Sequence, residues 1–374
     1  MTNKIKVLSI FGTRPEATKM VSPIKALEAH EAVESIVCVT AQHRELLDEV
    51  IAPFGIVPNY DLNLMRPRQS LTELTARALT GISEVIEKAK LDWILVHGDT
   101  TTTVAGSLAA FYNQVQVAHV EAGLRTYDKY QPFPEEINRK VTTAVADIHF
   151  APTELARENL IKENIPPKSV IVTGNTGIDL MSHTVKQGYK FAEPLLAKLD
   201  ESKRIILMTA HRRENWGEPL ENICKAARRI ADDFADVQIV YPVHPNPVVK
   251  ETAQKYLSGH ERMLLTEAVS VFDLHNLMNK SYLVLTDSGG IQEEAPTLNK
   301  PVVVLREVTE RPEGEKAGTL VLAGMDETRI YNTVRELLTD EGKYRRMAES
   351  PNPFGDGKAS RRIVQAIVDA GKKI

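Results

Sequence analysis

Asp99, Glu121 and Glu135 stand where a globular protein rarely places carboxylates without a use. Asp99 follows the apolar run WILV through His97 and Gly98, Glu121 follows VAHV directly, and Glu135 opens an expected helix after a proline-flanked loop. If the two apolar runs are neighbouring buried strands, the three acids converge on one rim of one sheet, where they could pass protons to and from a bound molecule. The plain alternative is that Asp99 caps the helix starting among the threonines and Glu135 is an ordinary first-turn acid. Glu121 resists that account. An acid that ends a buried strand before Ala-Gly must be paired, solvated in a cleft, or protonated.

Candidate anion sites fall at other strand ends. In FGTRPEATK, Arg14 and Lys19 flank a helix start, which makes a local positive site if they are not simply solvated charges. LVLTDSGGIQEEAP is sharper: a buried strand ends at Thr286, then Ser288, Gly289 and Gly290 lead into a helix. Backbone N–H groups and a small hydroxyl would there face one point at the positive end of a helix dipole, and the glycines would let a diphosphate approach the backbone. A tight turn alone would also explain the glycines. Glu294, about one and a half helical turns on, could accept hydrogen bonds from a ribose. TAHRREN adds His211, Arg212 and Arg213 at another strand end, and PVHPNP adds His244.

Several chemistries find no motif. The first turn has neither the Gly-x-Gly-x-x-Gly spacing of a dinucleotide site nor the Gly-Lys-Ser/Thr ending of a P-loop, so neither NAD nor ATP is suggested. There is no His-Glu-x-x-His, paired Cys-x-x-Cys or Asp-x-Asp, so no catalytic metal is expected. A bound diphosphate would be neutralised by arginine, lysine and helix dipoles.

These residues need strands to end beneath them. Strand-length apolar bursts alternate with helix-periodic segments from end to end, the pattern of a parallel sheet covered on both faces. The first half predicts strands at IKVLSIF, SIVCVTA, WILVHG, VQVAHV, DIHFA and SVIVTG. After a looser, charged stretch from Lys186 to Lys203, read as a linker, the second half predicts RIILMTA, VQIVYPV, MLLTE, YLVLTD, PVVVL and TLVLAG. Pro15 fits a first helical turn, and Ser70 with Glu73 predicts a capping box for a helix running to about Lys88. The fold expected is α/β: two doubly wound, Rossmann-like parallel-sheet domains facing a cleft, residues 1–185 and 186–357, with a helix at 358–374 packing back on the first domain.

Composition sets outer bounds. The 374 residues carry 46 basic and 50 acidic side chains, a net charge of −4, which favours neither nucleic acid nor an anionic membrane as partner. Two cysteines, Cys38 and Cys224, lack disulfide or metal spacing and suit a reducing cytoplasm. The amino terminus runs directly into a strand without a signal-like segment, and no apolar run has bilayer length.

Taken in order, FGTRPEATK, VTAQHRELL, VHGDTTTT, HVEAGLRT, PFPEEINR, TGNTGID, TAHRREN, YPVHPNP, LTDSGGIQEEAP and ERPEG resemble the non-hydrolysing UDP-N-acetylglucosamine 2-epimerases across nearly the whole chain. The resemblance implies a two-domain fold like the GT-B glycosyltransferases, a homodimer, and no cofactor. It also implies inversion at C2 to give UDP-N-acetylmannosamine for cell-surface polysaccharide synthesis, with UDP eliminated to leave a glycal and then added back. Carried over by position, the acid-base set falls on Asp99, Glu121 and Glu135, with His211 by the leaving group and Lys19 nearby. The UDP set would be Arg14, His211, Ser288, Gly289, Gly290 and Glu294. Some bacterial members bind a second UDP-N-acetylglucosamine as activator, and Gln42, Arg68, Gln69, Glu135, Arg212 and His244 match that site. Glu45 departs from the pattern, since some activated relatives carry glutamine there. A hydrolysing epimerase that releases UDP and N-acetylmannosamine, a glycosyltransferase of the same fold, and a non-catalytic nucleotide-sugar sensor stand as competing readings.

Overall fold

The computed structural model describes residues 4–40, 44–66 and 68–371. The chain divides into two compact units, Met1–Leu180 with Gly355–Ile374, and Met181–Phe354.

The first unit runs β1 (Ile5–Phe11), α1 (Arg14–Glu28), β2 (Val33–Val39), α2 (Arg44–Ile51), β3 (Tyr60–Asp61), α3 (Leu71–Ala89), β4 (Trp93–His97), α4 (Thr101–Tyr112), β5 (Gln116–Val120), α5 (Glu135–Val145), β6 (Ile148–Ala151), α6 (Glu154–Lys162), β7 (Val170–Val172) and α7 (Thr176–Thr184), whose last turn enters the second unit. The seven strands lie in the order 3-2-1-4-5-6-7 and pair in parallel. Every residue of WILVH in β4 is buried, because helices cover both faces of a parallel sheet. Strand β3, two residues at the edge, has no counterpart among the expected strands, being too short for any periodic signal.

The order reverses between β1 and β4, so the loops leaving these two strands diverge and open a crevice at their carboxyl ends. Gly12 closes the turn after β1. A Cβ there would fall 2.0 Å from Thr40 Oγ1, so no larger residue fits. Thr13 and Glu16 then form a capping box that starts α1, and Ser70 with Glu73 does the same for α3.

The second unit holds β8 (Arg204–Thr209), α8 (Glu218–Asp233), β9 (Val237–Pro242), α9 (Pro247–Leu257), β10 (Met263–Thr266), α10 (Val271–Lys280), β11 (Leu283–Thr286), α11 (Gly289–Glu294), β12 (Val302–Val304), α12 (Pro312–Ala317), β13 (Leu320–Leu322), α13 (Glu327–Thr339) and α14 (Glu341–Ala348). Its six parallel strands repeat the order 3-2-1-4-5-6, now as 10-9-8-11-12-13, with the reversal between β8 and β11. The stretch read as a linker is fastened to this unit. Tyr189 Oη and the Ala192 and Glu193 amides donate to the buried Asp273 carboxylate at 2.9–3.0 Å, and Leu196 is buried in its core.

The final helix, α15 (Ala359–Gly371), belongs to the first unit and packs beside α1. Its buried face is Ile363, Val364, Ile367 and Val368. Asp179 caps it, accepting from the Ala359 and Ser360 amides at 3.1 and 2.6 Å.

Candidate active site

Glu121 is the first residue beyond β5 and sits at φ 62°, in the left-handed region that a residue with a Cβ seldom adopts. Such a backbone is held only where its surroundings over-determine it. Its carboxylate is ion-paired to Lys19 of α1, accepts from Asn175 Nδ2 at 3.4 Å, and lies 3.7 Å from His97 Nε2. Burial alone would raise this carboxyl, but Lys19 and then His97 outweigh it and hold it well below the ordinary value of 4.5. Of the three outcomes open to an acid ending a buried strand, pairing is the one realised.

Asp99 stands in the loop after β4. The helix behind it is capped by Thr100, whose Oγ1 accepts from the Thr103 amide at 3.2 Å, so Asp99 is not the cap. Its carboxylate is paired to Arg139, and its carbonyl accepts from Asn138 Nδ2 at 2.8 Å. Both partners lie on α5, the helix that Glu135 opens. Glu135 Oε2 is buried with no hydrogen-bond partner among the described residues. Its neighbour Glu136 is committed to structure, accepting from the Thr126 and Tyr127 amides at 3.0 and 3.1 Å.

Two buried groups hold this rim in shape. Glu16 accepts from the Gly12 and Thr13 amides at 3.1 and 2.8 Å and from Thr100 Oγ1 at 2.7 Å, tying the loop after β1 to the loop after β4. Burial raises its carboxyl, against these hydrogen bonds. His119 on β5 places Nε2 2.7 Å from the Gly98 carbonyl, and burial pushes its imidazole down to about 3 despite that bond, so the ring is neutral and donates.

In the second unit the crevice between β8 and β11 is built around Asp287, which is fully buried. Its Oδ2 accepts from the His211 and Arg212 amides at 2.7 and 2.8 Å and from Asn215 Nδ2 at 2.9 Å, and Oδ1 lies 3.2 Å from His211 Nδ1. The His211 ring stacks on His244, with centroids 5.5 Å apart and 10° between planes. Burial and then His211 lower the His244 imidazole. Ser288 occupies the N-cap position of α11 without a capping bond from its side chain. Arg311 and Arg212 bring guanidinium nitrogens to 3.6 and 3.9 Å of the position a Cβ on Gly289 would take. Glu294 Oε1 approaches the corresponding position on Gly290 to 3.7 Å, while Oε2 lies 3.5 Å from His275 Nε2. Two guanidiniums therefore flank Gly289, and the Ser288 hydroxyl and Glu294 carboxylate flank Gly290, which is what an anionic diphosphate and a neighbouring hydroxyl would require.

The sequence-predicted residues thus fall into two groups. Lys19, Asp99, Glu121 and Glu135 belong to the first unit, as do exposed Arg14 at the start of α1, exposed Arg68, and Gln69, which accepts from Arg77. His211, Arg212, His244, Ser288, Gly289, Gly290 and Glu294 belong to the second. Gln42 and the Glu45 side chain lie outside the described residues. Among the described residues no group of three or more His, Cys, Asp or Glu side chains is placed to hold a metal ion, and no helix is long and apolar enough to cross a membrane.

Comparison with known proteins places this geometry in a lineage. Residues 25–368 match the family model described as UDP-N-acetylglucosamine 2-epimerase. The chain belongs to that family. The Bacillus subtilis UDP-N-acetylglucosamine 2-epimerase is 56% identical over 98% of this chain and 95% of its own. Two solved structures superpose over nearly the full length. The S. aureus MnaA–UDP co-structure is 53% identical over 99% of this chain and 98% of its own, at a TM-score of 0.88. The Neisseria meningitidis UDP-GlcNAc 2-epimerase bound to UDP-GlcNAc is 44% identical over 98% and 100%, at 0.83. The family is one of isomerases, and its fold is a pair of α/β domains, as expected from the strand pattern, of the GT-B-like kind that the resemblance implied.

Within this epimerase family member, sequence reasoning passed over Glu16, His97, Asn175, Asp287 and Arg311. Glu16 was within reach, because Thr-x-x-Glu after a strand is a capping-box signature. Asp287 and Arg311 lie inside quoted motifs, yet one points inward at a loop and the other arrives from 22 residues past Gly289. Only folding reveals those meetings.

Proposed function

We propose that this chain catalyses the reversible, non-hydrolysing epimerisation of UDP-N-acetylglucosamine at C2, by elimination of UDP and re-addition. The observation that carries the reading is Glu121, a carboxylate kept ionised by Lys19 in a strained strand-end position, in the unit that also presents Asp99 and Glu135, whose Oε2 has no hydrogen-bond partner among the described residues.

The C2 proton is not adjacent to a carbonyl, so a carboxylate could not remove it from the intact sugar at a useful rate. If the C1–O bond breaks first, or largely first, its electron pair leaves on the UDP oxygen, and the positive charge at C1 acidifies C2–H. A carboxylate then takes the proton, the C–H pair forms the C1=C2 bond, and a glycal results. A proton returned to the opposite face of C2, with attack of the UDP oxygen on C1, gives UDP-N-acetylmannosamine. Two acid-base groups on opposite faces are required; Asp99, Glu121 and Glu135 supply more than enough, and an ionised Glu121 starts the cycle as acceptor rather than donor. Arg212, Arg311, Ser288 and the Gly289–Gly290 turn hold the diphosphate, its charge met by donors and cations rather than a metal, and Glu294 holds the ribose. Arg14 contributes a further cation, and the enzyme works as a homodimer.

A second UDP-N-acetylglucosamine binds as activator through Gln42, Arg68, Gln69, Glu135, Arg212 and His244. His244 stacks on His211, so an activator held there touches a neighbour of the leaving group. The decisive measurement is turnover in deuterated water. Deuterium at C2 of both epimers, with no free sugar, is the expected result. Accumulation of UDP and free N-acetylmannosamine would show the hydrolysing reaction instead, and absence of deuterium from both epimers would end the proposal.

A further inference from the structure

The Asp287 carboxylate has two oxygens with separate tasks. Oδ2 is fully occupied by the His211 and Arg212 amides and by Asn215 Nδ2, at 2.7, 2.8 and 2.9 Å, and so fixes the course of the loop after β8. Oδ1 takes no part in that work: it is buried, makes no hydrogen bond among the described residues, and lies 3.2 Å from His211 Nδ1. A carboxylate used only as a loop tether has no need to face a titratable ring with its second oxygen, least of all when the residue is fully buried. The ring cannot turn away easily. Its amide is fixed by the same carboxylate, its carbonyl accepts from Trp216 Nε1 at 3.4 Å, and its face lies on the His244 ring.

From this geometry we infer that Asp287 is a positioning residue for the reaction. Its unpartnered, buried Oδ1 is placed to take up the Nδ1 proton of His211, which leaves Nε2, on the far side of a ring whose side chain is 37% exposed, as the nitrogen that exchanges a proton with the leaving group. The inference rests on the epimerase reading. In the elimination the protonated ring gives its Nε2 proton to the departing diphosphate oxygen as the C1–O bond breaks. When UDP adds back, Nε2 recovers that proton as the oxygen attacks C1. The ring ends each cycle as it began. Asp287 keeps the Nδ1 proton throughout and touches no substrate atom, as does the buried carboxylate behind a general acid-base histidine elsewhere.

The variant that isolates Oδ1 is Asp287→Asn. Its side-chain carbonyl can still accept from the two amides, but its NH₂ then faces His211 Nδ1 and donates to it. The neutral ring is forced to carry its proton on Nε2, where it can no longer accept one. The direct readout is the pair of His211 ¹⁵N shifts in the full-length protein, recorded where the ring is neutral. The wild type should show Nδ1 protonated and Nε2 bare, and Asp287→Asn the reverse. With that switch kcat should fall on the order of 10²-fold, while the dissociation constant for UDP moves no more than several-fold. Asn215→Ala, which removes one bond to Oδ2 and none to Oδ1, should lower the melting temperature and leave the wild-type tautomer in place, separating tethering from positioning.

The inference is overturned if the wild-type ring carries its proton on Nε2, if Asp287→Asn leaves the tautomer unchanged, or if the tautomer switches and kcat does not fall. Failure of the epimerase reading would look different: the wild-type tautomer would be as stated, but no epimer would form.

Discussion

The ammonium of Lys19 rests on the carboxylate of Glu121, 102 residues further along the chain, and both side chains are largely withdrawn from solvent. The first helix of the unit thereby sets the charge of an acid at the end of its fifth strand. Removing one partner of such a pair leaves the other charge uncompensated. Glu121 has a lowered carboxyl in the folded protein, so its pairing contributes stability above the ordinary value near 4.5, and that contribution is lost as pH falls below it. Lys19→Met should therefore move the acidic limb of the pH–rate profile upward and reduce kcat at neutral pH by about 10²-fold. An unmoved limb would show that Lys19 does not govern Glu121.

Substitution of the three carboxylates should separate chemistry from binding. Asp99→Asn, Glu121→Gln and Glu135→Gln should each lower turnover by about 10²-fold or more and leave UDP affinity, measured by calorimetry, nearly unchanged. Near-normal rates in all three would refute the acid-base assignment.

The second unit should respond in the opposite way. Ser288→Ala, Glu294→Gln and Arg311→Ala each remove a group beside the glycine turn, and should weaken UDP binding by about tenfold for each lost neutral hydrogen bond and by more for the guanidinium. Calorimetric titration with UDP alone reads this without turnover. Arg311 also pairs with the buried Glu293, so Arg311→Lys is the better test of the charge by itself.

Acid should unfold the first unit through its histidines. His119 and His149 are pushed by burial to about 3 and about 4 from 6.5. An unfolded chain binds protons in that interval and the folded one does not, so stability is complete above about 6.5 and declines as pH falls toward these values. The His119 contribution is on the order of 5 kcal/mol at full development. Melting temperature should drop across this window in the wild type and drop less in His119→Asn, which keeps a side-chain donor near the Gly98 carbonyl.

Asp179→Ala should detach the start of α15. The two amides it accepts from are buried, and loss of a capping carboxylate costs about 1–2 kcal/mol. Thermal unfolding should register this as a fall of a few degrees, together with faster amide exchange over the first turn of that helix.

Much of this architecture could be read from the chain. Each of the twelve expected strands has its counterpart, because a strand buried on both faces must be apolar throughout and such runs stand out between helical periods. The capping boxes at Thr13–Glu16 and Ser70–Glu73 are equally local, since each involves residues three apart. The strand-end acids were visible for the same reason: position at the end of an apolar run is a property of neighbours in sequence.

What the sequence by itself determined was therefore the set of elements and the residues at their ends, through local periodicity and local hydrogen bonding. Only the tertiary structure decided what those ends meet. Lys19 and Glu121, Arg139 and Asp99, Asp287 and His211, and Arg311 and the Gly289 turn are pairs between helices or loops that follow different strands, brought together by the strand order of the two sheets. The state of a carboxylate follows from the charges and burial around it, and those exist only once the sheets have formed. The sequence could thus say that Glu121 must be paired, solvated or protonated, and the fold supplied Lys19.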